Sequence, residues 1–186
     1  MKRALDFLLA TPVALALLPL LLLLGVLVRL TSKGPALHWS VRVGKDGRLF
    51  RMPKLRSMRA GTPLVATHLL DDPRSRRTPI GAFLRITSLD ELPQLWSVLR
   101  GDMSLVGPRP ALPDQKDLLA LRSATGVNAL VPGITGWAQV NGRDDLPVAR
   151  KAALDAQYLA ARGLRLDLRI LWMTAGRVLG RQGVSH

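Results

Sequence analysis

The chain has no cysteine, and that absence closes several routes: it can build no disulfide framework, no thiol nucleophile and no zinc–thiolate site. Histidine is nearly as scarce. His38, His68 and His186 stand far apart in sequence, without the spacing of a metal-ligating set. Aromatic residues make up only 4% of the chain, too few for a platform on which nucleic-acid bases stack. Acidic residues number 13 against 27 Lys and Arg, and a single one of them, Glu91, is a glutamate. The net charge of +14 that results calls for polyanionic partners: nucleic acid, an anionic membrane surface or phosphorylated substrates. No Walker loop, Gly-x-Gly-x-x-Gly turn or His-Glu-x-x-His helix occurs, and nothing points to a Ser/His/Asp triad.

What the chain does have is leucine. From Phe7 to Val28 it runs without a charge, behind Lys2, Arg3 and Asp6 and ahead of Arg29 and Lys33. A cleavable signal sequence shares the basic start, but Val28-Arg29-Leu30-Thr31 offers no small-x-small cleavage site. A kinked full span is the second reading, since the run is long enough for a hydrocarbon core of ~30 Å. A bent hairpin that enters one leaflet and returns is the third. Pro19 removes a backbone donor near the middle and should break or sharply kink the helix. The halves on either side would then reach only about 18 and 14 Å at ~1.5 Å per residue, and neither crosses alone. Basic residues on both flanks favour one side, the cytoplasmic one, for both ends. The hairpin satisfies both facts and divides the chain into a re-entrant membrane helix over 1–30, broken at Pro19, and a cytoplasmic domain at the membrane surface over 31–186.

That domain reads as α+β and mostly helical. Residues 31–37 form a linker. Val41, Val43, Leu49 and Met52 alternate around Gly44-Lys45-Asp46-Gly47, the pattern of a β-hairpin. Residues 59–79, rich in Arg, Asp, Thr and Pro, read as an irregular loop. Helical spacing returns over 80–100, with Leu92, Leu95, Trp96 and Leu99 on one face and Gly101 as the stop. A Gly/Pro loop covers 101–112, a helix 113–124, and turns with a short strand 131–143. Two amphipathic helices, 147–162 and 166–180, flank Gly163. The second sets Ile170, Leu171, Trp172, Met173, Val178 and Leu179 among Arg165, Arg169, Arg177 and Arg181. This suits a helix at a lipid headgroup boundary, and equally a core helix with a solvated basic edge.

The chemistry centres on Asp90-Glu91. Pro93 is tolerated only in a first helical turn, so a helix should start near residue 90. Asp90 would then stand beside unpaired N–H groups at the helix's positive end, a place for an anion or a phosphoryl group. The same position suits a plain N-cap, and Ser88-x-x-Glu91 matches a capping box. Arginine supply favours chemistry. Arg85 lies just upstream, Arg109 is stiffened by Pro108 and Pro110, Arg143 follows a glycine turn, and Lys54 and Arg56 come from the early strands. Each alone is an ordinary surface charge. Together they are several fixed cations around one carboxylate, which a pyrophosphate-handling site needs and a purely lipid-binding or nucleic-acid-binding module does not.

These residues sit in longer motifs: Lys2-Arg3-x-x-Asp6, Gly34-Pro35, Arg42-x-Gly44, Lys54-x-Arg56-Ser57-Met58, Leu84-Arg85, the run from Ser88 to Leu95, Gly101 to Pro110, Pro132 to Gly136, Gln139, Asn141-Gly142-Arg143, Asp155, Tyr158 and Asp167. Over nearly its whole length the chain closely resembles the bacterial sugar transferases, the small monotopic polyprenyl-phosphate phosphoglycosyl transferases. The resemblance implies a re-entrant membrane helix at the inner membrane, a cytoplasmic catalytic domain, Mg²⁺ held through Asp90, and Asp90 as the nucleophile. Asp90 would attack the β-phosphate of a UDP-sugar, expel UMP, and pass the phosphosugar to polyprenyl phosphate. Glu91 would assist with proton or metal handling. Lys54, Arg56, Arg85, Arg109, Gln139 and Arg143 would contact phosphates or substrate. Membrane lipid is a further implied partner and a homo-oligomer a further assembly; nucleic acid is not expected. The chain departs from the family at Leu18, where Ser usually precedes Pro19, at Ser40, where Gln is usual, and in a longer stretch around Arg74 to Thr78.

Overall fold

The first helix, α1 (Lys2–Thr31), is about 45 Å long at ~1.5 Å per residue and apolar enough to cross a membrane. In the computed structural model, which describes residues 2–59, 61–62, 72, 75–142 and 146–179, the helix does not stand apart. One stripe of it, Asp6, Ala10, Ala14, Leu17, Leu21, Leu24 and Val28, packs on the remainder of the chain from end to end. The spacing of three and four residues is that of one helical face. Phe7, Leu8, Leu15, Leu22 and Leu30 on the other side are exposed.

The expected break at Pro19 is absent: the helix runs uninterrupted through both Pro12 and Pro19. A proline inside a helix costs ~3 kcal/mol. Each large aliphatic side chain buried along the stripe returns ~1.5–3 kcal/mol, and the stripe continues on both sides of residue 19.

The hairpin is present as read, but longer. Strands β1 (Leu37–Val43) and β2 (Leu49–Leu55) pair antiparallel from Leu37↔Leu55 to Val43↔Leu49, so β1 reaches into the expected linker. Beneath α1, Met52 joins Ala10, Leu95, Val98 and Met103 in one cluster, and Leu55 joins Leu24, Val28 and Leu84 in another.

The helical stretch expected over 80–100, with a helix starting near residue 90, is three pieces. Helix α2 (Gly81–Ile86) and helix α3 (Leu95–Arg100) flank a 3₁₀ turn, Leu89–Gln94. The chain breaks at Ser88, which is left-handed at φ 56°, and Pro93 confines the next turn. Trp96, placed on the core face by its spacing, is 54% exposed as a result. Gly101 ends α3 in the left-handed conformation, as expected.

Strand β3 (Ser104–Val106) pairs parallel with β4 (Gly133–Thr135), and α4 (Lys116–Ala124) lies between them in sequence. Gly107 and Gly136 touch closely enough that a side chain on Gly136 would overlap the Gly107 carbonyl. Helices α5 (Val148–Ala161) and α6 (Leu164–Leu179) close the fold, with Tyr158 and Ile170 packed on Val106 and Val140. Among the described residues the fold is thus mostly helical with two small sheets. Most of the expected irregular segment 59–79, together with His68, His186 and Arg143, lies outside the described residues.

Both ends of α1 are fastened to the same body. At the start, Lys2 Nζ donates to Asp167 Oδ2 at 2.5 Å and to the Tyr158 hydroxyl at 3.1 Å. Arg3 donates to the Val98 and Leu99 carbonyls, and Asp6 accepts from Ser104 Oγ and the Leu105 N–H, both at 3.0 Å. At the other end, Arg56 donates to the Ser32 and Lys33 carbonyls at 2.9 and 2.6 Å. Gly34 is left-handed there (φ 108°), and a side chain on it would collide with the Arg56 guanidinium.

Candidate active site

Three separate segments converge on the Asp90-Glu91 pair. Strand β2 delivers Lys54, the 3₁₀ turn delivers the two carboxylates, and the loop after β3 delivers Arg109. Lys54 Nζ lies 2.7 Å from Glu91 Oε1, and Arg109 Nη2 lies 3.0 Å from the same oxygen. One carboxylate thus fixes two cations that are distant in sequence. Lys54 reaches it because β2 packs directly on the 3₁₀ turn, and Arg109 because Pro108 and Pro110 stiffen its backbone.

The capping reading does not survive. Ser88 makes no side-chain cap bond and its backbone is left-handed, not extended as an N-cap requires. Glu91 turns to Lys54 and Arg109 rather than back to Ser88. A 3₁₀ turn of six residues also has little of the positive-end field expected for a long helix, so the charge that answers Asp90 comes from side chains.

The two carboxylates are driven apart in proton affinity. Burial raises the Asp90 pKa most, and the neighbouring Glu91 charge adds to it; Lys54, Arg85 and Arg109 oppose, and the result is about 6 against an ordinary 3.8. Burial also pushes Glu91 upward, but Arg109 and Lys54, through charge and hydrogen bonds, outweigh it and hold Glu91 well below the usual carboxylate range. Glu91 is therefore a fixed anion. Asp90, only 8% exposed, accepts no hydrogen bond and forms no ion pair among the described residues. A desolvated carboxylate without a committed partner, ringed by three cations, is built to react with or bind something that arrives.

The remaining expected residues divide. Arg85, at the end of α2, acts electrostatically on Asp90 and so belongs to the site. Arg56 does not join it: its guanidinium is committed to the turn after α1. Gln139 is buried and donates to the Ile134 carbonyl at 2.9 Å, bracing β4. Arg143 lies outside the described residues. His38, one of the three scattered histidines, stands opposite Lys54 across the hairpin, and its pKa is lowered by burial and then by Lys54 and Arg42. The signal available was the hairpin register, which puts residue 38 opposite residue 54.

Among the described residues no group of three or more His, Asp or Glu side chains is gathered to hold a metal. That does not exclude Mg²⁺ on chemical grounds, because Mg²⁺ commonly uses one or two carboxylates and takes its other ligands from water and substrate phosphates. The uncommitted Asp90 carboxylate beside Glu91 is a donor set of that type.

With this geometry in hand, the relatives can be placed. The family model described as bacterial sugar transferase matches residues 1–181. The chain belongs to that family. This sugar transferase is 41% identical over 189 residues to an undecaprenyl-phosphate glucose phosphotransferase of Komagataeibacter xylinus, covering 95% of the chain and 35% of that protein. It is 38% identical over 183 residues to a UDP-glucose:undecaprenyl-phosphate glucose-1-phosphate transferase of Escherichia coli (strain K12), covering 94% and 39%. An uncharacterized sugar transferase, EpsL, of Bacillus subtilis (strain 168) is 40% identical over 159 residues, covering 86% and 77%. The sugar transferase chain thus spans well under half the length of the first two, and most of the length of the third.

Proposed function

We propose that this chain is a phosphoglycosyl transferase that moves a sugar-1-phosphate from a UDP-sugar to undecaprenyl phosphate and releases UMP. The observation that carries the reading is the contrast within one dipeptide. Glu91 is locked between Lys54 and Arg109, while the Asp90 carboxylate beside it is desolvated and uncommitted. The names of relatives that act on UDP-sugars and undecaprenyl phosphate support the same substrates here.

In the first half-reaction an Asp90 oxygen attacks the β-phosphorus of the UDP-sugar. The bond from that phosphorus to the oxygen bridging the α-phosphate breaks, and UMP leaves with the electron pair. In the second, an oxygen of undecaprenyl phosphate attacks the phosphorus of the aspartyl intermediate, and Asp90 departs as a carboxylate. Two anions meet in each step, so charge must be screened without displacing the nucleophile. Lys54, Arg85 and Arg109 are the cations for that task. Glu91, kept ionised, holds Lys54 and Arg109 in place so that neither pairs permanently with Asp90. Mg²⁺, held by Asp90 together with substrate phosphates, would supply further neutralisation of the pyrophosphate.

The membrane reading rests on α1. Its outer face is apolar along its length, and its two ends are bonded to one body. A helix leaving on the far side of a bilayer would break one of those sets. We therefore read α1 as lying against the inner membrane from its cytoplasmic side, with its exposed apolar face in lipid and both ends on that side. Leu164, Leu168 and Trp172, exposed at four-residue intervals on α6, would lie at the headgroup boundary. Transfer to undecaprenyl phosphate there would initiate a surface glycan such as an exopolysaccharide, a capsule or an O-antigen. The deciding experiment incubates the chain in lipid with a panel of UDP-sugars, Mg²⁺ and undecaprenyl phosphate and measures UMP. No release with any sugar would defeat the proposal.

A further inference from the structure

The loop that carries Arg109 has an unusual backbone. Pro108 and Pro110 supply no N–H, so most of what holds the segment must reach its carbonyls. Each carbonyl is met in turn. The Gly133 N–H donates to Pro108 O at 2.9 Å, and the Val43 N–H to Ala111 O at 2.9 Å. Arg42 Nη1 reaches Pro110 O at 3.4 Å. The Arg109 carbonyl itself accepts from Arg122 Nη1 at 2.9 Å.

Arg122 stands on the last turn of α4, and its guanidinium is fixed from behind. Nε and Nη2 donate to the same Asp155 oxygen at 2.9 and 2.6 Å. Asp155 on α5 is 1% exposed and Arg122 8%. All three donor nitrogens of the guanidinium are thus engaged, two on α5 and one on the residue whose own guanidinium meets Glu91. Stability alone explains this poorly, because a buried ion pair gains little over apolar residues of the same volume. A planar fork held on two sides does what an apolar pair cannot: it sets the position of one peptide carbonyl to within the tolerance of a hydrogen bond.

Resting on the functional reading above, we infer that Arg122, oriented by Asp155, is a positioning residue for Arg109. It fixes the backbone from which the Arg109 guanidinium is aimed at Glu91 and at the phosphates beside Asp90. Arg122 itself touches neither reacting carboxylate.

The test is a double-mutant cycle in the full chain. Arg122→Met/Asp155→Leu removes both charges at nearly constant volume and so leaves the fold standing, which a melting curve verifies. Its kcat for UMP release should fall at least about tenfold with KM for the UDP-sugar changed less, and in an Arg109→Ala background the same pair should cost about twofold or less. Equal losses in both backgrounds would show a general structural role and overturn the inference, as would unchanged kcat. A readout independent of turnover is the Nε–H resonance of Arg109 in arginine-labelled protein, assigned with Arg109→Lys. It should shift or broaden in the Arg122→Met/Asp155→Leu chain, and an unmoved resonance would also overturn the inference. If the unaltered chain released no UMP, the functional reading would fail, while the resonance would still decide whether Arg122 places Arg109.

Discussion

Lys54 and Arg56 leave the end of β2 two residues apart and serve opposite purposes: Lys54 reaches Glu91 at 2.7 Å, while Arg56 reaches the carbonyls of Ser32 and Lys33. Their substitutions should separate accordingly. Lys54→Met leaves the desolvated Glu91 with Arg109 alone, so it should lower melting stability somewhat, and it should lower UMP release by an order of magnitude or more, ~1.4 kcal/mol per tenfold in the barrier. Arg56→Met removes the donor to the half-buried Ser32 and the exposed Lys33 carbonyls and should cost roughly 1–2 kcal/mol of stability. Once folded at low temperature, that variant should keep a near-normal KM for the UDP-sugar. A raised KM in a stably folded Arg56→Met chain would return Arg56 to the substrate site.

The raised proton affinity of Asp90 predicts a pH profile. In the metal-free chain, a labelled Asp90 carboxyl should titrate near 6 by NMR, above the ordinary 3.8. The nucleophile is the ionised form, so kcat/KM for UMP release should climb from pH 5 to 7 and then level. A flat profile across that range would show that Asp90 ionisation does not limit the reaction.

The same shift predicts a stability effect of opposite sign to the catalytic one. Below 3.8 Asp90 is protonated in both folded and unfolded chains and imposes nothing. As pH rises through 3.8 the unfolded chain ionises while the folded one stays protonated, so the penalty grows from there and is complete above about 6, where the folded state carries a buried charge. Asp90→Asn should therefore abolish transfer yet raise melting stability at pH 7.5, by about 1–3 kcal/mol, with the gain vanishing near pH 4. Transfer that persists in Asp90→Asn would remove the nucleophile assignment.

Ser88 supplies a backbone test. It holds φ 56° without a side-chain cap bond, a conformation that costs a non-glycine residue ~1–2 kcal/mol. Ser88→Gly should keep activity and gain up to ~1 kcal/mol, whereas Ser88→Val should lose both stability and turnover. Reduced activity in a more stable Ser88→Gly chain would point to a role for the hydroxyl itself.

How much of this was legible beforehand varies by residue for physical reasons. The gathering of Lys54 and Arg109 on Glu91 could be anticipated, because Pro53, Pro108 and Pro110 mark stiff backbone beside each cation. The placement of Arg56 could not, because its partners are backbone carbonyls 23 and 24 residues earlier, and carbonyls leave no mark in a sequence. The capping box at Ser88-x-x-Glu91 misled because the motif presumes an extended Ser88, and tertiary pairing of Glu91 with Lys54 and Arg109 outweighed the local bond. The periodicity over 80–100 was real, yet the left-handed residue divided it and turned Trp96 outward. At Pro19 the local rule lost to packing of both halves of α1 on one surface.

That packing has a consequence for how the chain is made. Lys2 leaves the ribosome 165 residues before Asp167, the group it finally bonds. At ordinary synthesis rates the interval is roughly 10–30 s. For that time Lys2, at the head of the leucine-rich segment, is without its ion partner, although the groups that receive Arg3 and Asp6 are translated well before it. The Lys2 contact to α6 is then the last of the bonds on α1 to close, and a chain truncated before residue 167 should keep the Arg3 and Asp6 bonds while losing that one.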